Sequence, residues 1–200
     1  MSVVMVPAER LARWVHNFLA RHGPTDLCVE HGALRGVADD GSTFVVRLPF
    51  ARAYDGVAGV TDFLAAVEAP GSWGVLLVRK GGFAVARLEG PRMVEHKIGQ
   101  RHVQGRTKAG GQSQQRFARR RGNQARQAYE AAADHAARIL RSGLLVAGGD
   151  RPAVEEVLGD QRLRGLVVVE PWLAVPDPRR AVLDQAIVDA QSITVDVTNA

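Results

Sequence analysis

The sequence predicts an α/β fold in which a mixed β-sheet is flanked by helices, with an N-terminal extension of helix and β-structure. Three patterns support this prediction. Trp73–Arg79 and Phe83–Leu88 are apolar runs joined by the turn Lys80-Gly81-Gly82, which is typical of an antiparallel hairpin. Strand-like and helix-like segments alternate further along, and that order implies parallel pairing. Between the two regions, an apolar stripe predicts one long helix that begins after Gln112.

The sequence predicts that residues 1–70 form the extension and that residues 73–200 form the domain that contains the sheet. Within residues 7–21, apolar side chains recur at helical spacing up to Gly23-Pro24, so we expect a first helix with Trp14 and Phe18 in its core. Further along the extension, the sequence predicts β-structure over residues 26–50 with a turn at 39–42. It then predicts a short helix over about 61–67, with Thr61 or the residue before it as the N-cap. Whether the extension shares one core with the sheet stays open at this point.

The predicted elements of the second domain follow one another without long loops. In order, they are strands at 73–79, 83–88 and 92 to about 103, a long helix after 112, a strand at 144–147, a turn at 148–149, a helix at 151–158, a strand at 165–170, a helix at 177–190 and a short final segment at 193–197.

The long helix is predicted to have a narrow apolar face and a polar face. The apolar positions step by three and four residues: Ala118, Gly122, Ala125, Tyr129, Ala132, Ala136 and Ile139. The polar positions are Arg116, Arg120, Asn123, Gln127, Glu130, Asp134 and Arg138. Because the apolar face is built mainly from alanine and glycine, we expect it to pack closely on the sheet.

Positive charge is concentrated between Lys97 and Arg126, which we call the basic stretch. It holds nine of the chain's 26 lysine and arginine residues and none of its 21 aspartate and glutamate residues. An acid-free cationic segment of this kind indicates a polyanionic partner such as RNA. The alternative is a solvated basic face without a partner, and the mutual repulsion of these charges argues against it.

The composition of the chain argues against several other classes of protein. No segment approaches the roughly 18–20 apolar residues of a membrane span, and the N-terminus lacks the layout of a signal peptide. Cys28 is the single cysteine, and the six histidines have no metal-ligand spacing. Ser113 lacks the surroundings of a serine nucleophile, and the scattered acids do not suit a two-metal nuclease. We therefore expect a cytoplasmic monomer without metal or cofactor.

The tripeptide Gly110-Gly111-Gln112 is a weak motif by itself, but its context is specific. Residues 110–121 read GGQSQQRFARRR, which closely resembles the GGQ-Ser-x-x-Arg-Phe-Ala-Arg signature of the eukaryotic and archaeal class I peptide-chain release factors. The resemblance covers residues 73–192, the middle, catalytic domain of those factors. Their Asn-Ile-Lys-Ser stop-codon motif is absent, so the sequence is more similar to the small bacterial branch of the Vms-like release factors.

The resemblance implies a ribonuclease-H-like fold and a codon-independent peptidyl-tRNA hydrolase that releases nascent chains from stalled ribosomes or large subunits. It implies that Gln112, Gly110 and Gly111 are the catalytic residues. The expected partners are the rRNA of the large subunit and peptidyl-tRNA. The cationic residues expected to contact this RNA are Arg101, Arg106, Lys108, Arg116, Arg119, Arg120 and Arg121.

These residue types suit hydrolysis of the ester that joins a peptide to tRNA. Two glycines allow the backbone to approach the ester closely, and the Gln112 N–H could then donate to the developing oxyanion. The Gln112 side chain would orient the attacking water. The alternative function is a non-catalytic rRNA- or tRNA-binding module that keeps the loop as a basic anchor. An intact Gly-Gly-Gln favours the hydrolase, because binding alone would tolerate other polar residues.

Overall fold

The computed structural model of the chain describes residues 2–100 and 112–200, and for residues 112–125 it describes the backbone. The chain folds into two compact units, Met1–Ala69 with Val188–Ala200, and Pro70–Ile187. The strands and helices are β1 (Ser2–Val6), α1 (Ala8–His22), β2 (Thr25–Glu30), β3 (Ala33–Ala38), β4 (Thr43–Arg47), α2 (Val60–Ala65), β5 (Trp73–Arg79), β6 (Gly82–Glu89), β7 (Arg92–Gln100), α3 (Gln112–Ile139), β8 (Gly143–Gly149), α4 (Arg151–Leu158), β9 (Leu166–Leu173), α5 (Arg180–Ala190) and β10 (Ile193–Thr198).

The first unit is built on a five-stranded antiparallel sheet in the order β1-β10-β4-β3-β2. Helix α1 buries Leu11, Val15 and Phe18 in the core of this unit. Trp14 meets Phe44 edge to face, with ring centroids 5.6 Å apart, which confirms the predicted place of Trp14 and Phe18 in the core. The sequence patterns do not predict β1, and they leave residues 193–197 without a sheet. The domain boundary at residues 70–73 stays a prediction.

The short helix α2 differs from its prediction at both ends. Its N-cap is Gly59, in extended conformation, whereas the sequence predicted Thr61 or Val60. Glycine is an acceptable N-cap because its backbone adopts the extended conformation without strain. The helix then closes early, because the backbone N–H of Ala66 donates to carbonyl oxygens of the last turn.

The second unit contains a five-stranded mixed sheet in the order β7-β6-β5-β8-β9. Strands β5, β6 and β7 are antiparallel to one another, and β8 is parallel to both β5 and β9. Helices α3 and α4 share one core with the sheet, in which Leu76, Val85 and Leu145 are fully buried. The predicted α/β class with a mixed sheet and flanking helices is confirmed.

Three boundaries in this unit differ from the predictions, two of them for reasons that the local sequence explains. Strand β8 continues through the predicted turn at 148–149 and ends at Gly149, whose φ of +96° favours glycine. Helix α5 begins at Arg180 instead of 177, because Pro178 disfavours helical backbone at the residue before it. Strand β9 extends to Leu173. The predicted strand to about 103 is described as far as Gln100, and its last residues lie outside the described part.

Candidate functional site

The Gly-Gly-Gln motif is joined to the fold through helix α3. Gln112 is the first residue of α3, and the backbone of Arg116 and of residues 119–121 lies on the same helix. The other residues predicted for the site lie outside the described residues: Arg101, Arg106, Lys108, Gly110 and Gly111. The catalytic and RNA-binding roles of all these residues stay predictions, and the packing of α3 is described over residues 126–139.

The second half of α3 is packed against the sheet by small side chains. Ala132 and Ala136 are completely buried, and Ile139 is 1% exposed. Tyr129 packs against the same core. On the opposite side, Gln127, Glu130, Asp134 and Arg138 are exposed. The two predicted faces are therefore confirmed over residues 127–139, and the earlier members of each face lie where side chains are not described.

The described contacts that place α3 along the sheet involve its second half and the residue that follows it. At one end of the contact, Gln127 borders the same cleft as Gln100, the last residue of β7. At the other end, Leu140 lies against Gly74 near the start of β5. Gln112 precedes Gln127 by fifteen residues, which is about 22 Å at roughly 1.5 Å per residue. Gln112 is therefore separated by several helical turns from the part of α3 whose packing is described.

Two groups of ion pairs tie the exposed side of α3 to its neighbours. The Arg138 guanidinium lies 3.2 Å from the Glu95 carboxylate on β7. On the other flank, Arg162 donates to Asp134 at 2.7 Å and to Asp160 at 2.7 Å. The hydrogen bonds from Arg162 lower the pKa of Asp160 from 3.8 to about 2. These contacts bridge α3 to β7 on one side and to the segment after α4 on the other.

A cleft of about 270 Å³, which we call the α3 cleft, lies between β6, β7 and α3. Its lining is made of glycine and alanine, two aromatic rings, two amides and one lysine: Gly82, Phe83, Lys97, Gly99, Gln100, Gln127, Ala128, Ala131 and His135. The rings of Phe83 and His135 stack with centroids 5.6 Å apart and planes at 28°. Sequence reasoning missed this cleft, because its residues come from three elements and form no contiguous motif.

The electrostatics of the cleft are cationic. Burial lowers the pKa of His135, and the nearby charges of Lys97 and Arg138 lower it further, while Asp134 raises it. Among the described residues, no carboxylate lies within ion-pair distance of Lys97 or Arg126, both of which are exposed. The basic stretch supplies no carboxylate of its own.

The described residues contain no group of three or more histidine, cysteine, aspartate or glutamate side chains placed to hold a metal ion. In the same part of the chain, no helix combines the length and the apolar character that crossing a membrane requires. The single cysteine, Cys28, is exposed.

Comparison with known proteins gives a family match, and the similar solved structures include an archaeal factor. A family model described as the actinobacteria/chloroflexi VLRF1 release factor, acVLRF1, matches residues 71–196. No protein of curated function matches the sequence significantly. The crystal structure of the archaeal translation termination factor aRF1 is similar with a TM-score of 0.37 and 13% identity, over 94% of this chain. The aligned region spans 64% of the length of the archaeal factor.

Proposed function

The chain belongs to the VLRF1 release factor family of actinobacteria and chloroflexi, and from this premise we propose that it is a ribosome-associated peptidyl-tRNA hydrolase. Membership confirms the release-factor family that the signature at residues 110–121 predicts. The proposed enzyme acts in the cytoplasm as a monomer and hydrolyses the ester of peptidyl-tRNA on stalled ribosomes or large subunits, without reading a codon. It uses neither a metal nor a cofactor.

One observation carries the proposal: the Gly-Gly-Gln motif ends on the first residue of a helix that is anchored far behind it. Gln112 stands about 22 Å in front of the point at which α3 meets the end of β7. A reaction centre enclosed by RNA can be reached only by a slender element. A helix about 10–12 Å wide that is fixed at its rear meets that requirement.

The chemistry assigned to the tip is positioning and charge stabilisation. The Gln112 N–H donates to the oxyanion that forms when water attacks the ester carbonyl, and its side-chain amide orients that water. Gly110 and Gly111 carry no Cβ, so the backbone can approach the ester. The attack breaks the bond between the carbonyl carbon and the ribose oxygen of the tRNA, and that oxygen takes up a proton as the attacking water loses one, with transfer through groups of the ribosome and substrate.

The first half of α3 and the segment before it supply the contacts to RNA. Arg119, Arg120 and Arg121 lie in consecutive positions of the helix. Arginine stays charged and can bind phosphate with two hydrogen bonds. Such contacts attach the leading half of α3 to RNA, and they make binding fall steeply with salt.

The test is peptide release from purified large subunits that carry a labelled nascent peptidyl-tRNA. We expect Gln112→Ala to slow release by about 10²–10³-fold, the cost of removing one such group. Gln115→Ala is the matched control, because it removes the same side chain one helical turn later. We expect the control to stay within a few-fold of the unmodified protein.

Binding measured by co-sedimentation separates catalysis from attachment. The hydrolase predicts that Gln112→Ala binds the large subunit as tightly as the unmodified protein does. Equal release by both proteins, or no release by either, would contradict catalysis and leave a non-catalytic rRNA- or tRNA-binding module.

A further inference from the structure

We infer that the α3 cleft is a binding site for one unstacked nucleotide of a single RNA strand, an assignment that rests on the proposed action on peptidyl-tRNA. The cleft lies in the second unit, at the end of β7, where the chain enters the basic stretch. It is a different place from the tip, since Gln112 is fifteen residues ahead of the lining residue Gln127 on α3.

The cleft exists because small residues line both of its walls. On the sheet side, Gly99 lies directly beneath the ring of Phe83, where a Cβ would collide with that ring. On the helix side, Ala128 and Ala131 leave the space open. Ala131 is exposed and borders the cleft, so a larger side chain at this position would narrow it.

The ring of His135 supplies the aromatic surface on which a base could stack, and Phe83 supports that ring from behind. Phe83 is 5% exposed, and one side of its ring is taken up by Gly99. His135 is half-buried, stacks on Phe83 and borders the cleft. Burial and the charges of Lys97 and Arg138 lower its pKa, so the neutral imidazole is favoured at neutral pH. Splayed bases of single-stranded RNA bind proteins by stacking on such rings.

The polar groups of the cleft match the remaining parts of a nucleotide. Gln100 and Gln127 face the cleft from β7 and α3, and each amide offers both donors and an acceptor to the edge of a base. Lys97 is exposed on β7 and has no carboxylate partner among the described residues, which suits a backbone phosphate. Pockets with apolar walls and a few convergent polar groups typically bind small ligand moieties.

Charge favours RNA over a protein segment as the occupant. Lys97 is the cation of the described lining, and no acidic residue is part of that lining. A peptide strand would bind through backbone hydrogen bonds or in an apolar groove. The side chains that line this cleft instead include one cation, two amides and two rings. A nucleotide uses all three kinds of group.

The decisive experiment compares two labelled RNA probes with the full chain. One is an adenosine hexamer, and the other is the same ribose-phosphate hexamer without bases. The assignment predicts that the hexamer without bases binds about 5- to 150-fold more weakly, the effect of losing the stacking of one base. Ala131→Phe fills the cleft without changing charge, so it should abolish this difference between the probes.

Ala20→Phe is the matched control, because it places the same ring on an exposed alanine of α1 in the other unit. Thermal melts of both variants establish that they are folded. Lys97→Ala should weaken both hexamers alike and reduce the salt slope by about 0.7. Lys80→Ala, which removes the same charge from the turn of the β5–β6 hairpin, should change neither quantity.

Three outcomes would overturn the assignment: equal binding of the two hexamers, retained discrimination in a folded Ala131→Phe, or no measurable binding of either probe. Complete displacement of the hexamer by AMP at the hexamer's own concentration would also overturn it, and would indicate a site for free nucleotide. Release from large subunits is measured separately. Normal peptide release together with equal binding of the two hexamers would contradict the cleft assignment and support the hydrolase. Stronger binding of the adenosine hexamer without peptide release would support the cleft assignment and contradict the hydrolase.

Discussion

The two halves of helix α3 have opposite properties. Residues 126–139, the anchored half, bury an alanine stripe and include the acids Glu130 and Asp134. Residues 112–125, the leading half, contain four arginines and no acid. Arg138 in the anchored half is paired with Glu95. The described packing and ion pairs of α3 thus lie in residues 126–139, while the residues proposed for catalysis and phosphate binding lie in the leading half.

Ion pairs between arginine and carboxylate side chains are also found in other parts of the described chain. Eight described arginines lie within ion-pair distance of a carboxylate: Arg35, Arg47, Arg79, Arg87, Arg92, Arg138, Arg162 and Arg180. The basic stretch has no acid with which to form such pairs internally. Like charges concentrated without neighbouring acids in the sequence repel one another in the free protein, and we propose RNA as the partner that compensates them. Each prediction below alters one half and leaves the other intact.

Charge reversal in the leading half should give the largest effect. We expect Arg119/Arg120/Arg121→Glu to weaken large-subunit binding about a hundredfold at 0.1 M salt, because three phosphate contacts each contribute roughly 0.7–0.9 to the salt slope. Arg141/Arg164/Arg179→Glu is the control, since it changes the net charge equally at exposed positions outside the basic stretch. Equal weakening by both triple variants would indicate a net-charge effect without specific contacts.

Overpacking in the anchored half should lower stability and leave RNA contacts in place. Ala136 is completely buried, so Ala136→Leu forces new methyl groups into a filled core and should cost about 1–3 kcal/mol of unfolding free energy. Ala131→Leu is the matched control at an exposed position of the same helix, and it should be neutral. Denaturant unfolding measures both, and a neutral Ala136→Leu would mean that the alanine stripe is not tightly packed.

The Arg162 bridge should have a smaller effect, because it lies on the surface. Arg162→Ala should lower the melting temperature by about 1–3 °C, with Arg164→Ala as the control. The pKa of Asp160 should rise from about 2 toward 3.8 once its partner is lost. The stabilising effect is therefore complete above about pH 3.8 and is lost as the pH falls through about 2. An unchanged Asp160 pKa by NMR would rule out the bridge.

His135 should give the smallest effect, visible as a pH dependence. Its folded pKa lies below 6.5, so the unfolded chain takes up the proton first as the pH falls. Its contribution is complete above about pH 6.5 and is lost as the pH falls through the folded pKa. His135→Gln should flatten the pH dependence of stability in this window. A folded pKa at or above 6.5, measured by NMR, would contradict the burial of the ring among cations.

The sequence predicted the parts of the fold that depend on short-range periodicity. The β5–β6 hairpin, the faces of α3 at Ala132 and Ala136, and the bounds of α4 all follow from local spacing. It could not predict that residues 193–198 pair with β1 and β4, because that pairing joins the two ends of the chain. The sequence did not predict the α3 cleft either, because Phe83, Lys97 and His135 are far apart in the sequence and come together only when the sheet and helix pack.

The central claim is that Gln112 performs the chemistry while the leading half of α3 performs the binding. Release from large subunits, measured over a range of protein concentrations, tests it most directly. The account predicts that Gln112→Ala lowers the rate at saturation by about 10²–10³-fold and leaves the half-saturating concentration unchanged. Arg119/Arg120/Arg121→Glu should raise the half-saturating concentration and leave the saturating rate unchanged. If both variants change the same parameter, the division of labour along α3 is wrong.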